Sequence, residues 1–254
     1  MTEQTQFPAE EVSLPSKGLL YPKDSPLSSG IINMKYMTAK EEDILTNANY
    51  IKNGVAIDKL LSSLITSPIK FDDLLIGDKN AIMIAARILG YGAEYEVKMQ
   101  HPETGEISNG IINLSDVKDK ILDESIIIEG ENEFEFTLPT SKVAITFKLL
   151  TNGDEKKIDN EIKGLKKLNK PSSEGTITLK HTIKSINGDS TLKTIREFID
   201  NTLLARDARA LRQYINQISP GIDLNTEVEF EDGHVMSDVS LPININFFWP
   251  DAGV

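Results

Sequence analysis

Hydrophobic and polar positions change their spacing near residue 90, where a helical pattern gives way to an alternating one. From Asp78, a good N-cap residue, apolar side chains occupy most faces of a segment that ends at Gly90. From 94 to 100, apolar and polar residues alternate with a period of two. The pattern predicts a buried helix that leads into a half-buried strand.

Two β-hairpins are predicted, one in the middle of the chain and one near its end. After the first strand, the turn HPETGE at 101–106 is followed by apolar residues at 107–114. Near the end, an alternating segment at 227–230 is followed by the turn EDGH at 231–234 and a strand that returns to Leu241. Both units have one Gly and one His in the turn. They are either an internal repeat or two unrelated hairpins.

The rest of the chain shows further helical and alternating patterns. Helices are predicted at 38–51, 55–66, 154–169 and 190–218, the last being the longest. Strands are predicted at 31–34, 134–138, 143–149 and, as a hairpin, 177–189. These elements predict an α+β fold, in which helices are combined with several antiparallel β-hairpins.

The first 30 residues are rich in Pro, Ser and Gly, with four prolines between Pro8 and Pro26, and predict an extended N-terminal arm. The arm is more apolar than disordered tails usually are, so we expect it to lie on a surface, either of its own domain or of a neighbour. The predicted organisation is an arm at 1–30, a helical and β-hairpin domain at 31–150, and a second α+β region at 151–254 with the long helix, the C-terminal hairpin and an aromatic tail.

The tail PININFFWPDAGV contains the only tryptophan of the chain and is too short to bury its aromatic residues by itself. It either folds back on its own domain or anchors a partner, since aromatic clusters dominate the energetics of interfaces. We therefore expect partner contacts from the arm and from the tail. The candidate contact residues are Leu14, Leu19, Leu20, Tyr21, Phe247, Phe248 and Trp249.

The charge balance disfavours nucleic acid as a partner. The 27 Lys and Arg residues are outnumbered by 39 Asp and Glu residues, and the formal net charge of -12 repels a phosphate backbone. The sequence has no cysteine, which fits a reducing compartment, and no apolar run long enough to span a membrane. Its acidic start lacks the apolar core of a secretory signal.

Candidate chemistry is sparse. A metal site formed by the two histidines of the hairpin turns, with Glu103, Glu231 or Asp232, is conceivable, but we expect exposed turn histidines and no metal. The sequence has no phosphate-binding loop, dinucleotide fingerprint or serine nucleophile elbow, and its acidic pairs are adjacent residues that do not share a helix face. We expect no enzyme activity, no cofactor and no small-molecule substrate.

One charged cluster remains open to two interpretations. Arg206, Asp207, Arg209 and Arg212 lie together in the longest predicted helix. They either anchor another element of the chain or decorate the surface.

Five blocks of sequence follow one another in a familiar order: LPSKGLLYP, MTAKEEDIL, ILGYGAEYEVKMQHPETGE, LARDARALRQYINQISPGID and FFWPD. This succession resembles the baseplate hub subunit and hub-assembly family of T-even-type contractile-tailed phages. The order of the blocks carries the resemblance more than any single block does. In this family the two hairpin turns commonly carry CPxCG-like zinc knuckles. Here the first turn keeps the Pro and Gly but lacks both cysteines, so the resemblance implies hairpins without the metal.

The resemblance implies a structural component of the phage baseplate, in its hub region, that acts through contacts with other baseplate and tail proteins. It implies a location in the virion tail baseplate, and in the host cytoplasm during assembly. The alternative is a transient tail-assembly chaperone that is absent from the mature virion. An enzyme with an unrecognised site is the third possibility, and it requires clustered carboxylates or histidines in a concave pocket.

Overall fold

The computed structural model describes residues 9–241 and 243–248, and all structural statements concern these residues. They contain eight α-helices and nine β-strands, so the predicted α+β fold is confirmed. The helices are α1 Ala39–Leu45, α2 Ala48–Asn53, α3 Ala56–Leu64, α4 Ile76–Tyr91, α5 Asn152–Lys167, α6 Glu174–Thr182, α7 Leu192–Asn201 and α8 Ala205–Ile218. The strands are β1 Glu10–Ser13, β2 Ile31–Met34, β3 Glu94–Gln100, β4 Ile107–Asn113, β5 Phe134–Thr137, β6 Ala144–Phe147, β7 Ile183–Ile186, β8 Asn225–Phe230 and β9 Val235–Ser240.

The strands form three antiparallel sheets, and the largest one joins the two predicted hairpins. Its strand order is β3-β4-β8-β9, so the hairpins lie side by side and share an edge. Gly110 pairs with Phe230 and Ile111 with Glu229 across that edge. A Cβ at Gly110 would lie 2.3 Å from the Cγ1 of Val228, so glycine permits the close approach of the two hairpins. Because β4 and β8 are antiparallel, both turns lie at the same end of the sheet.

The N-terminal segment is folded rather than extended. Strand β1 pairs with β2, and a 3₁₀ helix covers Pro26–Ser29. Between them the backbone crosses itself closely, since a Cβ at Gly18 would lie 2.4 Å from the carbonyl oxygen of Ser28. Pro15, Pro22 and Pro26 fit because they fall in or beside turns and at the start of the 3₁₀ helix, where a missing N–H is tolerated. The described part of the expected arm, 9–30, therefore belongs to the folded body.

Helix α4 contributes Ile82, Met83, Ile84 and Ala86 to a hydrophobic core that contains side chains from Leu14 to Phe248. It begins at Ile76, with Leu75 as the N-cap residue, and not at Asp78 as the sequence suggested. Asp78 instead lies within the first turn and is fully buried. The core takes side chains from both sides of residue 150, and the division of the chain there stays a prediction.

Two other segments differ from the sequence-based expectation. Residues 177–182 belong to helix α6, and only Ile183–Ile186 form a strand, which pairs with β6 instead of folding into its own hairpin. The longest predicted helix is interrupted between Asn201 and Ala205 and forms α7 and α8. Neither change has a Gly or Pro signal, so tertiary packing rather than local propensity decides them.

Candidate functional site

The apolar residues of the N-terminal segment are turned into the chain's own core. Leu14, Leu20 and Tyr21 are buried, and Leu19 is half-buried. A polar anchor beneath them is Asp78, which accepts hydrogen bonds from the backbone N–H of Ser16 (2.9 Å), from its hydroxyl (2.7 Å) and from the Tyr21 hydroxyl (2.6 Å).

Tyr21 also completes the start of helix α4. Leu75 provides no side-chain cap, and its backbone N–H donates to the Tyr21 oxygen at 2.9 Å. The Tyr21 hydroxyl thus accepts from the Leu75 N–H, which has no partner within the helix, and donates to the Asp78 carboxylate in the first turn. Burial, together with the nearby Asp78, raises the pKa of Tyr21, so the hydroxyl remains a donor. Burial also raises the pKa of Asp78, against the opposing effect of its hydrogen bonds.

The aromatic residues of the tail are buried as well. Phe247 and Phe248 are fully buried, with their rings 5.5 Å apart in an edge-to-face arrangement, and the Tyr95 ring lies 5.1 Å from Phe247. The Arg87 side chain fixes the backbone at this point, because its Nε donates to the Phe247 carbonyl oxygen at 3.1 Å.

Arg87 is a buried cation, only 2% exposed. In the described part of the chain its hydrogen-bond acceptors are the carbonyl oxygens of Phe247 and Gly92, not carboxylates. Its guanidinium also lies 4.9 Å from the centre of the Tyr91 ring. Burial lowers the pKa of Arg87, but arginine stays protonated in proteins.

Most of the residues expected to contact a partner are therefore occupied by contacts within the chain. Five of them, Leu14, Leu20, Tyr21, Phe247 and Phe248, have little or no side-chain surface left for a neighbour in this conformation. Trp249 lies outside the described residues. A partner contact by these residues stays a prediction, and only Leu19, which is half-buried, offers surface in this conformation.

The two hairpin turns bring their histidines together. The rings of His101 and His234 are 5.1 Å apart, and the ring of Phe230 lies 4.6 Å from that of His101. His101 is 3% exposed, so the expectation of an exposed turn histidine is wrong for this residue. The shared edge of β4 and β8 explains its burial, because the second hairpin covers the first turn.

The hydrogen bonds of His101 assign its tautomer. Its Nδ1 accepts from the backbone N–H groups of Glu103 and Thr104, both at 3.3 Å, so the proton of the neutral ring is on Nε2. Nε2 lies 3.2 Å from an oxygen of Asp232 but makes no aligned hydrogen bond with it. Within the described ranges no three His, Cys, Asp or Glu side chains are arranged to hold a metal ion.

The charged cluster in α8 serves two purposes. Asp207 is fully buried and accepts hydrogen bonds from the backbone N–H groups of Thr140 (2.7 Å) and Ser141 (2.9 Å), so it anchors the β5–β6 turn. The three neighbouring arginines are exposed. Burial by itself raises the pKa of Asp207, but the donors outweigh it and hold the pKa below its ordinary value. Sequence reasoning offered this anchor as one of two alternatives, without its partner.

The buried carboxylates of the described chain act as braces. Asp78 holds the N-terminal segment, Asp207 holds a turn, and Asp154 completes the capping box of α5 and receives Lys148 at 2.6 Å. Each accepts at least two hydrogen bonds, which suits it to fixing the segments that donate to it. None of the helices within the described ranges has the length and apolarity needed to cross a bilayer.

Comparison with known proteins gives one match. A family model described as T4 bacteriophage base plate protein matches residues 17–249, which is nearly the whole chain. No curated protein and no solved structure matches it. The matched range begins within the N-terminal segment, after Ser16, and includes Tyr21, Asp78 and the buried phenylalanines of the tail. The chain therefore belongs to the family of T4 bacteriophage base plate proteins.

Proposed function

We propose that the chain is a structural component of the hub region of a contractile-tailed phage baseplate and acts through contacts with other tail proteins during tail assembly. The observation that carries the proposal is the family match over residues 17–249. The order of the sequence blocks supports the finer assignment to the hub.

The hydrogen bonds inside the chain support a structural role. Both ends of the described chain are fastened to helix α4, one through Asp78 and the other through Arg87. Buried polar networks of this kind rigidify a fold when all their members are satisfied. The proposal assigns the chain no catalytic activity, no cofactor and no small-molecule substrate.

The partners in this proposal are other baseplate and tail proteins, met first in the host cytoplasm and then in the virion tail. The net charge of -12 argues against nucleic acid. Leu14, Leu19, Leu20, Tyr21, Phe247 and Phe248 remain proposed partner contacts, and of these Leu19 has surface for a neighbour in this conformation. Trp249 remains a predicted partner contact. The division into an N-terminal segment at 1–30, which is folded over its described residues 9–30, and regions at 31–150 and 151–254 remains part of the proposal.

Quantitative mass spectrometry of purified virions tests the proposal. We expect a small, fixed copy number relative to known tail proteins, and cross-links from this chain to the central baseplate proteins. Infected-cell lysate serves as the matched sample. Abundance in lysate with clear absence from virions would contradict a structural role and favour the transient assembly chaperone.

A further inference from the structure

An open groove of the described chain lies between helices α4, α6 and α8. It has a volume of about 770 Å³, and its lining is more apolar than polar. Its walls are the start of α4, the α6 helix and the last turns of α8. Asp78 and Arg87, which hold the two ends of the chain, do not line the groove, and neither do their hydrogen-bond partners.

The floor of the groove is fixed by an unusually close approach of two backbones. A Cβ at Gly77 would lie 1.8 Å from the carbonyl oxygen of Pro220, so the segment after α8 rests directly on the first turn of α4. Only glycine permits this crossing. The groove is therefore a preformed feature of the backbone, and binding there does not require the floor to rearrange.

The charges of the groove are opposite in sign to those of the whole chain. Three cations, Lys120, Lys148 and Arg212, line it with one carboxylate, Glu174. Lys148 is neutralised by Asp154 at 2.6 Å. Among the described residues, the salt bridges involve neither Lys120 nor Arg212. In a chain of net charge -12, this apolar surface with two uncompensated cations favours an acidic ligand.

The two cations lie along one wall. Arg212 and Asn216 are four residues apart on α8 and share a face, and the Nζ of Lys120 donates to the Asn216 side-chain oxygen at 3.4 Å. Ile215 and the C-cap residue Ser219 also line the groove. An apolar floor beside a row of cations matches a ligand with an apolar stripe and acidic residues along one side.

The walls favour a helix over a strand as the ligand. Most of the lining belongs to helices, and the strand-like segment at its base has its backbone groups in use: the N–H of Lys148 donates to Thr182 and the carbonyl of Leu150 accepts from Ile76. Both backbone groups of Leu149 are also paired, with the Asn132 side chain, so this segment offers a peptide strand little unpaired edge among the described residues. Recognition must then come from side chains spaced along a helix face.

We propose that this groove binds an amphipathic, acidic helix of another baseplate protein. The inference rests on the proposed function, because it names the kind of partner through which the chain acts in the baseplate. The apolar stripe of the helix fills the groove, and its Asp or Glu residues pair with Arg212 and Lys120.

Peptide binding to the full chain tests the inference. The probes are overlapping peptides of about 20 residues, long enough for several helical turns, that cover the baseplate proteins of the same phage and this chain itself. Binding is measured by fluorescence polarisation. We expect the bound peptides to combine an apolar stripe with acidic residues and to lose binding when those residues are changed to lysine.

Two pairs of variants locate the binding. Gly175 lines the groove and Gly164 lies in α5, and a Cβ at either position meets no atom within 4 Å, so both accept a larger side chain. Gly175→Trp fills the groove and should weaken binding at least about tenfold, whereas Gly164→Trp should leave it within about twofold. Arg212→Glu should weaken binding about tenfold and Arg209→Glu, on the same helix but outside the groove, should change it little. Thermal unfolding of all four variants checks that they are folded.

The outcomes separate this inference from the proposed function. Binding that Gly175→Trp leaves unchanged, a preference for basic peptides, binding only by peptides of this chain, or no binding at all would each overturn the groove assignment. If the peptides bind as expected but the chain is absent from virions, the groove assignment is supported and the structural role is contradicted. If the chain is present in virions and the groove variants are incorporated normally, the groove assignment is contradicted and the structural role is supported.

Discussion

The N-terminal segment at 9–30 and the tail at 243–248 are both apolar, and both fold onto helix α4, but they are held there by different forces. The N-terminal segment is organised around a buried carboxylate, Asp78, that takes hydrogen bonds from Ser16 and Tyr21. The tail is held by two buried phenylalanine rings and by one hydrogen bond from Arg87 to a carbonyl.

The two segments should therefore respond differently to substitution. Apolar burial is non-directional, so the tail depends on volume and contact area. Hydrogen bonds to a buried carboxylate depend on each partner being present, and the loss of one leaves others unsatisfied. The tail should therefore be sensitive to truncation of its rings, and the N-terminal segment to single-atom changes and to pH.

The largest effect is expected from Phe247→Ala. Removing a fully buried ring should lower the free energy of unfolding by about 3–4 kcal/mol, measured by urea denaturation. Phe71→Ala, at a half-buried site, is the matched control and should cost less. Unchanged stability with lost incorporation into baseplates would show that the tail serves a partner instead of the core.

Asp78→Ala should follow, with a loss of about 2–3 kcal/mol in the same measurement. The change leaves the Ser16 and Tyr21 donors without an acceptor in a buried site. Asp43→Ala, at an exposed position of α1, should stay within about 0.5 kcal/mol. Equal effects of the two substitutions would mean that the Asp78 network does not hold the segment.

Tyr21→Phe should cost about 1–2 kcal/mol, because the Leu75 N–H loses its acceptor and Asp78 loses one donor. Tyr36→Phe removes a similar bond, from an exposed hydroxyl to Glu10, and should have almost no effect. Hydrogen exchange at the Leu75 amide gives a local measure: faster exchange is expected in Tyr21→Phe alone. A protected amide in that variant would argue against the tyrosine cap.

The smallest effect concerns pH. Because the pKa of Asp78 is raised in the folded state, the folded chain binds this proton more tightly than the unfolded chain does. The contribution of Asp78 is full below an unfolded pKa of about 3.9 and is lost as pH rises through the folded pKa. Asp78→Asn should remove this fall in stability, whereas Phe247→Ala should retain it. Unfolding curves measured from acidic to neutral pH, with an identical slope in wild type and Asp78→Asn, would exclude the linkage.

Local patterns predicted the elements that depend on local chemistry. The two hairpins follow from alternation and from turns that contain Gly, and the start of α1 follows from the capping box of Thr38 and Glu41. Alternating residues at 177–182 were assigned to a strand and form a helix, because a short segment with mixed signals takes the conformation that its neighbours impose.

The side-chain contacts that hold distant segments together could not be predicted from the spacing of residues along the sequence. Asp78 looks like a helix cap in sequence, and its partner Tyr21 is far away along the chain. Asp207 was placed correctly in a charged cluster, but the backbone donors that it holds belong to a distant turn. His101 and His234 were noted as similar turn residues, and only the pairing of β4 with β8 brings them together. Such contacts carry no periodic signal.

The shared edge between the hairpins also sets the order in which the chain can fold. Strand β4 pairs with β3 on one side and with β8 on the other. Gly110 therefore cannot pair with β8 until Phe230 has been synthesised. On the ribosome the first hairpin emerges long before that partner is synthesised, and its open edge remains available for wrong pairings in the meantime. A contact between residues so distant in sequence also forms slowly. A shortened chain that lacks the last hairpin would therefore be prone to aggregate, because the edge of β4 would stay unpaired.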